Sequence, residues 1–371
     1  MPKGYNTIGD ILTKTVDGRD LNDLWGEFQQ VVAIHNERRQ TIINLLTFPV
    51  TNLIEDVPQI TSDDFEEASE FGVPKSTRVA LTAFQMAYTF KWYDIAKRFT
   101  WQFLAEAPAA QLEAIHQQVL EADNRLVFRK VMNTMFRNTN RNADINGQNY
   151  TVFAFYNADG TVPPAYGPNE FDGTYTHYLV SGAATLDSGD VELIISKFKK
   201  LGYSRATGVT MAILVNSAEA AVIRTWRANV ENANSAVAQY DFIPAATQPA
   251  QILPTPQGLI GTQPPSTFQG LPVVGSYGDA LIVEEDYIPA GYLAAFCTGG
   301  DASLQNPIGI REHANTQLRG LRLLPGDNTA YPLTNSNYVR GFGTGVRQRG
   351  AGLIMQVKAS GAYEIPPAYA E

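Results

Sequence analysis

The run Phe84-Gln85-Met86-Ala87-Tyr88-Thr89-Phe90-Lys91-Trp92 and the long stretch from Ala109 to Asn138 decide how this chain is read. In the first, Phe84, Met86, Tyr88, Phe90 and Trp92 share one parity while Gln85, Ala87, Thr89 and Lys91 share the other, the alternation of a strand. At ~3.3 Å per residue it reaches about 30 Å. In the second, Leu112, Ile115, Val119, Ala122 and Leu126 recur at three- and four-residue steps, continued by Val131 and Met135. That spacing predicts one amphipathic helix, roughly 45 Å long at ~1.5 Å per residue. Glu121 and Arg125 are spaced for an ion pair on its polar side. Between the two stretches, Ile95, Phe99 and Phe103 predict a short helix ending near Pro108.

Upstream, Asp56, Asp63, Asp64, Glu66, Glu67 and Glu70 lie between Pro49 and Ser76, interrupted by Pro58 and Pro74. Without the alternating ligands and turn glycine of a calcium loop, this reads as a solvated acidic tip. Residues near Val50 to Ile54, paired with the strand, would close a long hairpin around it. An isolated hairpin is marginal in water, so its aromatic face packs either on its own domain or on another copy. Earlier still, Leu21, Leu24, Trp25, Phe28, Val31, Val32, Ile42, Ile43 and Leu46 predict a helical arm after an Asp20 cap, closed by Pro49. Its apolar stripe has the same two destinations.

Downstream, Tyr150 to Tyr156 reads as a strand closed by the turn Asn157-Ala158-Asp159-Gly160. Asp187 or Ser188 caps a helix to Leu201, Val209 to Val215 is a short buried strand, and Asn216 with Glu219 has the spacing of a capping box for a helix through Trp226. That is an α/β unit. Seven prolines between Pro244 and Pro272 mark a long loop of the kind used for function or contact. Apolar stretches follow at Leu271 to Val283, Tyr292 to Phe296 and Leu353 to Lys358.

With 371 residues, 44% of them hydrophobic, the chain has enough apolar content for a folded core. Its net charge of -9 does not favour nonspecific nucleic-acid binding. Cys297 is the single cysteine, which excludes an intrachain disulfide, fits a reducing compartment and reads as a small buried thiol. The start Met1-Pro2-Lys3-Gly4-Tyr5 leads into polar residues rather than an apolar signal core, so synthesis and use in the cytosol are expected. No apolar run approaches the roughly 20 residues of a spanning helix, and no membrane role is expected.

Signals for catalysis are missing. Gly341-Phe342-Gly343-Thr344-Gly345 has Val346 where a dinucleotide loop needs its third glycine, and reads as a kinked strand. Neither a Walker loop nor Gly-x-Ser-x-Gly is present. His35, His116, His177 and His313 lack metal-ligand spacing. Glu284 and Glu285, adjacent in a strand, would point to opposite faces. No catalytic, cofactor-binding or metal-binding residue is assigned, and no cofactor is expected. An α/β enzyme with an unfamiliar site is the alternative reading.

The order of elements resembles the major capsid proteins of tailed double-stranded-DNA bacteriophages, which have the HK97-like fold. The likeness to actinobacterial-phage members is carried by Arg98-Phe99-Thr100-Trp101-Gln102-Phe103-Leu104, Ala114-Ile115-His116 and Leu120-Glu121-Ala122-Asp123-Asn124-Arg125-Leu126. Thr176-His177-Tyr178-Leu179, Tyr287-Ile288-Pro289-Ala290-Gly291-Tyr292 and Arg349-Gly350-Ala351-Gly352 extend it over essentially the whole chain.

The resemblance implies an α+β fold with an N-terminal arm (1–47), an extended β-hairpin loop (48–93), a peripheral domain with a long spine helix (94–176 and 337–371) and an α/β axial domain (177–336). It implies a non-enzymatic shell protein that assembles with itself as pentamers and hexamers into the icosahedral head. That head would enclose packaged double-stranded DNA without binding it specifically. Scaffold, portal and decoration proteins are the further partners of such a protein, the virion is its destination, and the host cytoplasm is its place of assembly. Another virion component is a third reading. Phe84, Met86, Tyr88, Phe90 and Trp92 are the candidate intersubunit contacts, with Lys75 and Lys91 in the proposed loop. Some relatives crosslink a loop lysine to an asparagine of another subunit, and no asparagine or assisting acid is matched here.

Overall fold

The computed structural model describes residue 4 and residues 13–37, 40–58, 83–145, 147–246, 263–325 and 335–370. In chain order α1 (Leu21–Glu37) and α2 (Thr41–Leu46) lead into β1 (Thr47–Val50), β2 (Ile54–Pro58), β3 (Ala83–Ala87) and β4 (Lys91–Arg98). Then come α3 (Trp101–Glu106), α4 (Ala109–Phe136), and the hairpin of β5 (Arg141–Ile145) and β6 (Gln148–Val152). β7 (Tyr178–Val180), α5 (Ser188–Lys200), β8 (Thr210–Val215), α6 (Ser217–Ile223) and β9 (Phe242–Pro244) follow. The remaining strands are β10 (Thr267–Phe268), β11 (Leu271–Pro272), β12 (Gly275–Tyr277), β13 (Ala280–Glu284), β14 (Tyr292–Thr298), β15 (Ile308–Glu312), β16 (Leu321–Pro325), β17 (Asn335–Val346) and β18 (Gly352–Gln356).

The chain divides into two compact units: residues 1–40, 90–130 and 311–343, and residues 41–89, 131–310 and 344–371. In the first, β17 lies between β4 and β16, antiparallel to both. Helix α1 begins where the Asn22 N–H donates to Asp20 Oδ1 at 2.8 Å, the expected cap. Its buried face, Leu21, Leu24, Phe28 and Val32, follows helical spacing. Leu21, Leu24 and Phe28 pack with Leu104, Ala109 and Leu112, and Val32 packs with Val119, Leu120, Leu321 and Tyr338. The α1 part of the arm's stripe, exposed Val31 apart, is therefore covered by its own unit, at roughly 1.5–3 kcal/mol of burial per large apolar side chain, while Ile42, Ile43 and Leu46 are buried in a separate helix, α2, of the second unit. Helix α4 starts just after Pro108, and the Asp17 carboxylate accepts from the Ala109 N–H at 3.2 Å, placing negative charge at its N-terminus.

Two polar clusters tie α1 to α4 and β17. His116 stacks on Phe28 with ring centroids 4.3 Å apart, and its Nδ1 lies 2.8 Å from the Tyr338 hydroxyl. Burial pushes the His116 imidazole down to about 4. The buried Asp123 carboxylate meets His35 Nε2 at 3.0 Å and Arg340 Nη1 at 2.5 Å through the same oxygen. Glu121 and Arg125 pair at 3.8 Å with both side chains exposed, and such a contact contributes little.

The second unit is built on a seven-stranded sheet in the order β7-β18-β14-β8-β13-β12-β9. The β8–β13 and β7–β18 pairs are parallel and the other four antiparallel. Val191, Ile194, Ile195 and Phe198 of α5 pack with Met211, Ile213, Leu293 and Leu353 of the sheet. Cys297 is buried in the same core, which pushes its thiol well up. Asp187 caps α5 in a reciprocal box with Asp190. At α6, Asn216 caps, but Glu219 accepts from the Gly291 N–H at 2.7 Å, so the expected capping box does not close. A loop C-terminal to β6 is held by Arg349, which donates to Ala154 O, Phe155 O, Asn157 Oδ1, Asp159 Oδ2 and the Thr161 hydroxyl.

Several expectations need correction. The run from Phe84 to Trp92 is not one strand. β3 ends at Ala87 and β4 begins at Lys91, because Tyr88 sinks into its unit and the Thr89 N–H turns to Thr344 O. Val50 belongs to β1, a ladder neighbour of β15, and the hairpin partner of β3 is β2, from Ile54↔Ala87 to Pro58↔Ala83. Ile95 lies in a strand rather than a helix, since the ladder to β17 overrides its helical spacing with Phe99 and Phe103. α3 starts only after the Thr100 side-chain cap. The strand read from Tyr150 stops at Val152. The acidic tip beyond Pro58, with Lys75, and most of the proline-rich loop lie outside the described residues.

Candidate interaction surface

Three of the candidate contact residues belong to the second unit. Phe84 is half-buried and its ring centroid lies 4.4 Å from that of Phe153. Met86 and Tyr88 are buried in their own chain. The Tyr88 hydroxyl donates to Glu55 Oε2 at 2.7 Å, and Arg347 Nε stands 3.4 Å from the same oxygen. Burial, with the Glu55 carboxylate beside it, holds that hydroxyl far above the usual tyrosine range. Room for the ring comes from glycines: a Cβ on Gly309 would stand 2.5 Å from Tyr88 Cε1, and one on Gly345 would stand 2.7 Å from Cδ1. Gly345 falls in the stretch read as a kinked strand, and the signal that was available is the spacing of its glycines along one face of β17.

Phe90, Lys91 and Trp92 belong to the first unit. Trp92 is 51% exposed and Lys91 is exposed. The indole lies against Gly341, where a Cβ would come 2.5 Å from the ring. Phe90 meets Trp92 edge-on at 5.4 Å, and the Arg311 guanidinium sits 4.9 Å from the Phe90 ring centre. His313 completes the patch at 6.0 Å from Trp92. The Asn315 N–H donates to its Nδ1 at 3.0 Å, so the proton of the neutral ring sits on Nε2. Trp92 is the large apolar side chain of the seven candidates that offers open surface, and Lys91 is the cation beside it.

The rest of the described surface gathers little chemistry. A cavity of about 490 Å³ in the second unit is lined by Val57, Phe84, Met86, Tyr156, Tyr203 and Arg349, among others. Its lining carries no carboxylate, histidine, serine or cysteine. Glu284 ends β13 and Glu285 falls beyond it, so the two carboxylates do not take opposite faces of a strand. Both border one depression with Asp286. Glu284 is tied to Arg224 at 2.8 Å. His177 donates or accepts at Gly352 O over 2.7 Å, and burial pushes its imidazole down to about 3. Among the described residues, no group of three or more histidine, cysteine or acidic side chains is placed to hold a metal ion. No described helix is long and apolar enough to cross a membrane.

No protein-family model matches this chain, and no curated protein does either. Solved structures do. A chain from Mycobacterium phage Patience is 49% identical over 99% of this chain and 97% of its own length, with a TM-score of 0.80. The mature capsid of bacteriophage PhiM1 is 10% identical over 87% of this chain and 89% of its own, with a TM-score of 0.50. The second likeness is one of fold.

Proposed function

Because the chain belongs to the major capsid proteins of tailed double-stranded-DNA bacteriophages, with the HK97-like fold, we propose that its copies build the head as pentamers and hexamers through the hairpin and the exposed patch at Trp92. The protein is a shell component and forms the icosahedral head. The observation that carries the reading is the full-length match at 49% identity. Residues 1–47 would then serve as the arm, 48–93 as the extended loop, 94–176 with 337–371 as the peripheral domain and 177–336 as the axial domain. Trp92 and Lys91, with half-buried Phe84 and Phe90, are the side chains of the candidate set that a neighbouring subunit would meet, while Met86 and Tyr88 would hold the hairpin to its own subunit.

The role is structural rather than catalytic. Assembly in the host cytoplasm, with scaffold, portal and decoration proteins as partners, follows from the same reading. The net charge of -9 supports a container that encloses DNA without gripping it. Each subunit in a closed shell shares several interfaces, so modest contacts accumulate. Electron microscopy of the expressed protein, with its scaffold if it uses one, is expected to show closed particles or capsomers. Persistent monomers under every assembly condition would refute the reading.

A further inference from the structure

Strand β4 has one ladder neighbour among the described residues, β17, paired from Lys91↔Phe342 to Arg98↔Asn335. Which backbone groups face that neighbour follows from Asn36. Its side-chain amide donates to Leu321 O at 2.8 Å and accepts from the Leu321 N–H at 2.7 Å. Leu321 therefore turns both backbone groups away from β17. Its antiparallel partner Arg340 then turns its own away from β16 and toward β4, where it pairs with Tyr93. Tyr93, Ile95 and Lys97 accordingly bond to β17, and Trp92, Asp94, Ala96 and Arg98 direct N–H and C=O outward. Thr89 obeys the same parity, donating to Thr344 O at 3.2 Å. All four outward residues are exposed.

An open edge of this kind is a template for another strand, and proteins that leave it uncovered blunt it with charged side chains, proline or a bulge, the charges leaving it open to an edge of opposite sign. β4 contains no proline, and its register with β17 runs without interruption. Lys91, Lys97 and Arg98 against Asp94 make the edge basic. A second β4 laid antiparallel about Asp94, a register its outward parity allows, would set Asp94 opposite Asp94 and Lys91 opposite Lys97, repulsive pairs. β2 has the complementary character. It carries Glu55 and exposed Asp56, and β3 is its one ladder partner among the described residues. Because the Tyr88 N–H donates to Leu53 O, the odd residues of β2 face β3 and Ile54, Asp56 and Pro58 face outward, Pro58 as an acceptor only.

We propose that the outward edge of β4 receives the β2 edge of a second copy of this chain as an added strand, with Asp56 of the incoming copy set beside Lys97 and Arg98. The proposal rests on the reading of the hairpin as an intersubunit element and names the edge on which it docks. It is a main-chain interaction, with the charges selecting the partner.

The test compares hydrogen exchange at single-residue resolution in unassembled subunits and in particles. The amides of Trp92, Asp94, Ala96 and Arg98 are expected to slow by about tenfold or more on assembly, while those of Tyr93, Ile95 and Lys97 are protected in both. Ala96→Pro removes an outward N–H without touching the β17 ladder. It is expected to lower particle yield about tenfold with little change in subunit melting temperature, whereas Ile95→Pro, which breaks the ladder, lowers both. Asp56→Lys is expected to lower the yield, and combining it with Lys97→Glu to restore it.

Outward amides that stay fast in intact particles overturn the proposal. If the β2–β3 residues gain protection in those same particles, the hairpin still crosses a neighbour and only the docking edge is wrong; if neither gains it, the intersubunit hairpin falls too. Slow outward amides without rescue by the paired charge reversal also overturn it, because another occupant then covers the edge.

Discussion

A Cβ on Gly345 would stand 2.7 Å from Cδ1 of Tyr88 and 2.9 Å from the backbone oxygen of Ala87, so the Tyr88 ring fills space that only glycine leaves open. Gly345→Ala is expected to cost roughly 1–3 kcal/mol, because a buried ring and a main-chain oxygen have nowhere to move. At Gly341 the obstructing group is the half-exposed indole of Trp92, which can swing outward. Gly341→Ala is therefore expected to stay within about 0.5 kcal/mol. Denaturant unfolding of the unassembled subunit measures both, and equal losses would show that the two rings are held alike.

Asp123 carries a second prediction. Replacing it with alanine leaves the Arg340 guanidinium buried without its carboxylate and also removes the partner of His35. A loss of about 3 kcal/mol is expected, as for other broken buried pairs. Glu121→Ala, on the exposed side of the same helix, is expected to cost under about 0.5 kcal/mol. Similar losses from the two variants would mean that burial does not decide the difference.

Acid should loosen the first unit through His116. Its imidazole is depressed to about 4 by burial, from an ordinary value near 6.5, so the unfolded chain binds the proton more readily. The stability His116 contributes is present above pH 6.5 and is lost as pH falls toward about 4. Asp190, raised by burial to about 6, acts in the opposite sense as its proton returns. The informative quantity is thus the difference between the wild type and His116→Gln. The variant's melting temperature should fall less steeply between pH 6.5 and 4.5, and parallel curves would remove His116 from the account.

Replacing Phe90 and Trp92 with serine is expected to impair assembly more than monomer solubility. Trp92 has open surface to lose, and burying it on a partner would contribute at about 25 cal/mol per Å² before ordering costs. Particle yield by sedimentation, read beside soluble subunit yield, separates the two effects. Unchanged yields of both would reject a contact role for the pair.

The sequence made α4 legible because its apolar positions repeat over many turns, and it made α5 legible because Asp187 and Asp190 form a local cap. It did not reveal the break after Ala87. That break depends on Gly309, Gly345 and Thr344, residues more than two hundred positions away that no local pattern connects to Tyr88. The strand character of Ile95 was hidden for the same reason, since β17 supplies its ladder. Of the candidate contacts, alternation alone grouped Met86 and Tyr88 with Trp92. Burial separates them, and the outward parity of β4 becomes visible only once Asn36 is seen to close on Leu321.

One feature of the seven-stranded sheet bears on how subunits are made. β18 is the sole ladder partner of β7 among the described residues, and His177 beside β7 reaches Gly352 O across a separation of 175 residues. During synthesis β7 leaves the ribosome long before the strand that fixes it. A chain interrupted anywhere between the two carries an unfinished sheet and an open flank on β14, which β18 would otherwise cover. Prematurely terminated chains therefore lack the strand that closes this flank of the sheet and leave β7 with nothing to pair against.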